Sequence, residues 1–473
     1  MSYSPGATDK QSTAPNDPYT LRAEDIKEPP KGWVGSLKYL GPGIITSASI
    51  VGSGELIATT ALGAQAGFVL LWMVVLSTTV KVAVQVELAR WTITTGEPGL
   101  TGFNRVPPRF GRTGWISFLW LLMALSKIVQ MGGIVGGTAA AMSIMIPIGS
   151  DPLSPLSLGV WTAIIVIGSI AMLWSNRYGL IERIATVLIV TFSIATIGLA
   201  LSLPFTPFPY GLSDVAGGLT FHLPLGMIGI AVAMFGLTGV GADEIAFYTY
   251  WCVEKGYARY TGPNDGSQEW VDRANGWIGV MQKDAFISWI IYTLGTIAFY
   301  IMGAAVLHPQ GLIPEGNEMI TTLSQMYTDA IGSWAGVIFL ICAVAVLGST
   351  LWAAIPSHAR MWTNFLANTG VLDWKDPSAR NRWLRFFTVL LPVLWGILFL
   401  VVSSPVVMIT IGGIATGIFL LAVVIGTWYL RRTETDDRVK GGRGFAVFLV
   451  ISSVAIGLVG VYTALNALGV ELG

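Results

Sequence analysis

The chain has 473 residues, of which 53% are hydrophobic and only 11% charged, against roughly 25% charged in an ordinary soluble domain. A surface this apolar needs lipid as its solvent, so a water-soluble globule is excluded. The 27 basic and 27 acidic residues cancel, which removes the electrostatic case for a nucleic-acid partner. Cys252 and Cys342 are too few and too far apart for a disulfide framework or a zinc cluster.

From the N-terminus, residues 1–33 are rich in Pro, Ser, Thr and charge without an apolar core. They read as a flexible cytoplasmic tail rather than a signal peptide. Apolar stretches long enough to cross a hydrocarbon layer of about 30 Å follow at about 37–62, 67–92, 114–146, 157–175, 179–204, 225–252, 284–306, 333–356, 384–402, 405–430 and 444–467. The expected fold class is therefore an all-α polytopic membrane protein of about eleven transmembrane helices. Every loop Lys and Arg falls in alternate loops, the set holding Arg105, Arg183, Lys255, Arg380 and Arg438, while the opposite set has none. By the positive-inside rule the N-terminus is cytoplasmic and the C-terminus outside. The loop at 253–283 carries Trp270 and Trp277, and reads as a connector or interfacial helix with lipid-facing aromatics.

Two spans combine helix-weakening glycines with carboxylates. The first contains Gly52-Ser53-Gly54-Glu55, and the sixth contains Gly236, Gly239 and Gly241 followed by Asp243-Glu244. A carboxylate in mid-membrane costs at least roughly 2.5–3.5 kcal/mol unless compensated. Recurrence of both features five spans apart is the mark of inverted-repeat transporters, whose broken helices surround a central substrate site. The repeats are expected at 34–205 and 206–430, with a basic loop and last span at 431–473. Lys81 and Lys127 also lie deep in spans, and await either structural ion pairing or a role in coupling. Glu87 and Arg90 read as interfacial. Gly132, Gly133, Gly136 and Gly137 read as helix-contact positions, and His222, His308 and His358 as ordinary histidines at span ends or in loops. Ser349 and Thr350 either face a cavity or bond their own backbone. No motif argues for an enzyme or a bound cofactor, and no protein partner is evident beyond the lipid bilayer.

The stretch from Gly41-Pro42 through Gly52-Ser53-Gly54-Glu55, Gly63-Ala64-Gln65-Ala66-Gly67 and Leu70-Leu71-Trp72 resembles the first two spans of the Nramp family of divalent-metal transporters. Gln85 and Thr95-Gly96 continue the match, and Arg177-Tyr178-Gly179 with Ile181-Glu182-Arg183 is similar to the family's entry into span five. The resemblance runs from about 38 to 430. It implies a LeuT-like 5+5 inverted repeat with a divalent metal held between broken spans one and six. The family's Asp-Pro-Gly-Asn motif falls on Gly52-Ser53-Gly54-Glu55, so the metal-binding Asp is a glycine here and the ligand Asn a glutamate. The Met-Pro-His motif of span six falls on Gly241-Ala242-Asp243, followed by Glu244. The thioether ligand is thus absent, and an all-oxygen site suits Mg²⁺, Ca²⁺ or Mn²⁺.

The expected function is import of a small ionic substrate, a divalent cation, by alternating access coupled to protons. Glu55, Asp243 and Glu244 would be the metal ligands, with Gly52, Ser53 and Gly241 supplying freed backbone. Lys81, Lys127 and Gln85 would serve coupling. The alternative is a symporter for a small organic solute such as an amino acid.

Overall fold

A backbone in hydrocarbon must satisfy its hydrogen bonds within its own segment, so apolar runs of this length fold as helices. The computed structural model describes residues 17–174 and 178–467. Its long helices are α1 (Pro42–Ala66), α2 (Leu71–Thr95), α3 (Trp115–Met145), α4 (Pro155–Trp174) and α5 (Tyr178–Ser202). They continue with α6 (Leu225–Lys255), α7 (Gln268–Gln310), α8 (Trp334–Thr369), α9 (Pro377–Val402), α10 (Pro405–Thr433) and α11 (Arg443–Ala467). Ten of them are long and apolar enough to cross a membrane by the described residues alone, and α5 stands where the eleventh span is expected. Arg177 lies outside the described residues, as do the side chains of Ser53, Glu182 and Arg183.

Span α1 differs from the expectation of a broken helix. Val51–Thr59, which includes Gly52-Ser53-Gly54-Glu55, is wound as a wide π-helical segment, and the helix continues to Ala66. Such wide turns accommodate a helix defect without unwinding it, and they concentrate at functional sites. Span α6 is interrupted as expected, with helical halves Ile228–Leu237 and Ala242–Lys255.

Close crossings hold the central helices together. A Cβ on Gly63 of α1 would collide with the Tyr300 carbonyl of α7, and one on Gly303 of α7 with the Thr60 carbonyl of α1. Helices that lack a hydrophobic drive toward each other gain most of their attraction from such backbone proximity. Gly132, Gly133 and Gly136 pack α3 onto α9 and α10 through Trp395, Phe399 and Pro405.

Three expectations are corrected on the side that carries the basic loops. Residues 253–283 are not a surface connector: α7 starts at Gln268, with the Ser267 hydroxyl accepting from the Trp270 amide at 3.0 Å. Trp270 and Trp277 are fully buried with Tyr257 rather than lipid-facing. Glu87 and Arg90 are not interfacial but 1% exposed. Glu87 binds Arg90 at 3.1 Å and Arg431 at 2.6 Å, and Arg90 donates to the Val439 carbonyl at 2.6 Å. A fixed triad with a backbone acceptor replaces the headgroup contacts. Finally, residues 17–33 do not behave as a loose tail. Asp17 is buried against Arg380, Tyr19 donates to Glu254 at 2.7 Å, and Trp277 donates to the Lys27 carbonyl at 2.9 Å.

Candidate functional site

The interruption in α6 is the structural origin of the site. Thr238–Gly241 separates the two halves, and Gly239 adopts φ +67° with its Cα against Thr78 of α2. A side chain there would be strained by conformation and by the 3.0 Å approach of the Thr78 Cα to its Cβ. The break leaves two kinds of orphan: carbonyls at the end of the first half and amides at the start of the second.

Glu55 answers one of the amides. It is fully buried in the wide turn of α1, and its Oε1 accepts from the Gly239 amide at 2.9 Å while Oε2 accepts from the Thr59 hydroxyl at 2.9 Å. The first-span and sixth-span motifs therefore meet, as their spacing in sequence implies.

The second half of α6 begins with Asp243 and Glu244 in its first turn, where the helix dipole favours negative charge. Both are buried. A Cβ on Gly241 would strike Glu244 Oε2 and lie 3.2 Å from Asp243 Oδ1, so both carboxylates fold over the glycine. Asp243 Oδ1 is 2.9 Å from Lys127 Nζ of α3, and Oδ2 is 3.6 Å from His358 Nε2 of α8. His358 is buried between Phe247 and Trp395, with its Nδ1 2.8 Å from the Ala354 carbonyl of its own helix. Once Nδ1 donates to that carbonyl, Nε2 can donate to Asp243 only when the ring carries both protons.

Lys81, expected either to form an ion pair or to serve coupling, donates to two carbonyls at the end of the first half of α6: Phe235 and Thr238, each at 2.5 Å. Gln85 is buried one turn further along α2, and its Nε2 has no hydrogen-bond partner among the described residues. Ser349 bonds its own backbone at Val346, whereas the Thr350 hydroxyl reaches the Ala48 carbonyl of α1 at 3.0 Å. His308 bonds the Ala64 carbonyl at 2.8 Å, whereas His222 is exposed and only its main-chain carbonyl accepts, from Trp72 at 3.0 Å.

Glu55 and Asp243 thus sit on opposite sides of one break, each already partnered. Among the described residues no three His, Cys, Asp or Glu side chains converge as a ready metal cage. Lys127 is paired with the Asp243 carboxylate.

Two contributors escaped the sequence reading. The expected eighth span ends at about 356, which puts His358 at its end, yet α8 runs through Pro356 to Thr369. Prolines are tolerated in membrane helices, and the apolar run Ala359, Met361 and Phe365 beyond it was the available signal. The expected seventh span, about 284–306, begins at Asp284. In the structure Asp284 lies more than four turns inside α7, and accepts from the amides of Gly41 and Gly43 at 2.9 and 2.6 Å and from Tyr248 at 2.9 Å. It caps the start of α1 from another helix.

The family model for natural resistance-associated macrophage protein-like (Nramp) proteins matches residues 43–466. The chain is 24% identical over 362 residues to an uncharacterized protein of Pasteurella multocida, covering 75% of this chain and 76% of that one. It is 23% identical over 448 residues to the divalent metal cation transporter MntH of Ralstonia nicotianae, covering 90% and 91%. Among solved structures, a mutant of the Eremococcus coleocola manganese transporter superposes with a TM-score of 0.65 at 16% identity, covering 96% of this chain and 93% of that one. A Na⁺-coupled sialic acid symporter superposes at 0.50 with 13% identity, covering 90% and 89%. The interrupted sixth span, the buried acids beside it and the match across nearly the whole chain agree: this is a multi-pass membrane protein of the Nramp-like family.

Proposed function

We propose that the protein carries a divalent metal cation across the membrane by alternating access, with Asp243 as its principal carboxylate and Glu244 and Glu55 as further oxygen donors. The observation that carries this reading is the Asp243–Lys127 contact at 2.9 Å. It is a cation-binding carboxylate at a helix break whose resident cation is a side chain from another span, so the partner is exchangeable by rearrangement. Two of the proteins named above, a divalent metal cation transporter and a manganese transporter, support the cargo. Charge supports it too. Glu55, Asp243 and Glu244 outnumber Lys81 and Lys127 by one, and a buried excess charge demands a further cation or a proton.

The direction proposed is import, with the N-terminus in the cytoplasm and the C-terminus outside, on the one-sided distribution of loop Lys and Arg. Oxygen donors without a thioether should discriminate weakly between Mn²⁺, Mg²⁺ and Ca²⁺. The test is uptake of ⁵⁴Mn²⁺ into proteoliposomes with Mg²⁺ and Ca²⁺ as competitors. Saturable uptake that both ions inhibit, and that Asp243→Asn abolishes, is the expected result. Uptake of an amino acid in place of any metal would overturn the cargo in favour of the organic-solute alternative.

A further inference from the structure

Lys81 is a deep basic residue whose hydrogen-bond partners among the described residues are neutral. It is fully buried in α2, and it donates to two main-chain carbonyls, Phe235 and Thr238, each at 2.5 Å. No carboxylate pairs directly with it among the described residues, in contrast to Lys127. The two carbonyls belong to the last turn of the first half of α6 and the residue beyond it, where a helix end presents unpaired oxygens and the negative pole of its dipole. Ser77 Oγ lies 3.1 Å from each of the same oxygens and accepts from the Thr238 hydroxyl at 2.7 Å. The Phe235 ring closes the far side, 5.0 Å from the ammonium.

This is an oxygen cage around a single positive charge. Discontinuous spans hold coupling cations with unwound carbonyls and half-helix C-terminal ends. We infer that Lys81 is a tethered cation: its ammonium permanently fills a monovalent-cation site made by the Phe235 and Thr238 carbonyls, which the Ser77 hydroxyl braces by donating to both. A tethered charge is always present at high effective concentration, so the site is satisfied at any ionic composition and no dissolved co-ion need occupy it. A transported cation must then use the Asp243 side of the break. The inference does not depend on what the cargo is.

Chemical rescue tests it. Wild type, Lys81→Ala, Lys81→Met and Lys81→Arg are purified in detergent, and thermal unfolding is followed in NaCl, KCl, ammonium chloride and methylammonium chloride. Choline chloride at equal ionic strength is the reference, because choline is too large for the cage. Wild type and Lys81→Arg should unfold at midpoints that do not depend on which cation is present. Lys81→Met should be less stable in every salt, since it orphans the carbonyls and fills the space. Lys81→Ala should be least stable in choline, and should regain more than half of its lost midpoint, saturably, in at least one small cation. Any of four results overturns the inference: a wild type stabilised saturably by a small cation, a Lys81→Met as stable as wild type, a Lys81→Ala indifferent to all four cations, or a Lys81→Ala that folds in none of them.

Discussion

Asp243 and Glu55 illustrate two ways of keeping a carboxylate in the membrane. Asp243 is charge-paired, so Asp243→Asn leaves Lys127 buried without a counter-ion, a loss that typically costs about 3–5 kcal/mol. Thermal unfolding should therefore drop sharply in Asp243→Asn and recover in the double variant Asp243→Asn with Lys127→Met. Failure of the second substitution to recover stability would show that the two groups are not coupled. Glu55 is hydrogen-bonded rather than paired, with the Gly239 amide and Thr59 hydroxyl as donors. Glu55→Ala orphans both and should cost about 1–3 kcal/mol. Glu55→Gln keeps an amide oxygen for Gly239 and should cost less. Equal losses in the two variants would mean that charge, not the donor geometry, is what the site needs. The residue types and their proximity could be read from the sequence, because a glycine-weakened span with an acid recurs at the first and sixth positions. Their partners could not, since Lys127 and His358 reach Asp243 from helices more than a hundred residues distant from one another or from it, and nothing local records that contact.

At the level of elements, the membrane spans were legible because bilayer thickness sets their length. Their extensions were not, because α7, α8 and α9 continue past the apolar runs on buried aromatic contacts and caps. The Ser267 and Asp376 caps could be recognised only after the helix starts were known. The wide turn in α1 differs from the expected break for a related reason. Glycines lower the cost of leaving the α-helix without dictating whether the chain unwinds or widens. The N-terminal segment likewise lacks an apolar core yet is bound by polar contacts. Tyr19 reaches Glu254, which Arg360 holds at 2.6 and 2.7 Å, and Asp17 reaches Arg380, whose guanidinium lies 4.7 Å from the Tyr19 ring. The segment thus straps α6, α8 and α9 together. Tyr19→Phe with Asp17→Asn should release it, and limited proteolysis near Arg22 should then proceed at least about tenfold faster than in wild type. An unchanged cleavage rate would show that the strap is held by other contacts, such as those of Lys27 with Tyr260 and Trp277.

For the whole molecule, eleven long helices with an interrupted sixth span bury the acids of α6 in the bundle, where α3 and α8 reach Asp243. The orientation proposed from the loop charges has a direct check. Single cysteines near Ser154 or Glu315 should react with an impermeant maleimide on intact cells, and one near Asn264 should not. Labelling at the Asn264 position would reverse the topology. The central claim is that Asp243 is a cation carboxylate which Lys127 occupies until the cargo arrives, and calorimetric titration of Mn²⁺, Mg²⁺ and Ca²⁺ into purified protein addresses it most directly. Removing the resident ammonium in Lys127→Met should tighten divalent-cation binding about tenfold or more, the scale of one lost charge-assisted contact of roughly 1.5–3 kcal/mol. Asp243→Asn should bind none of the three ions. Divalent cations that bind Asp243→Asn as tightly as wild type, or no heat of binding in either wild type or Lys127→Met, would contradict the account.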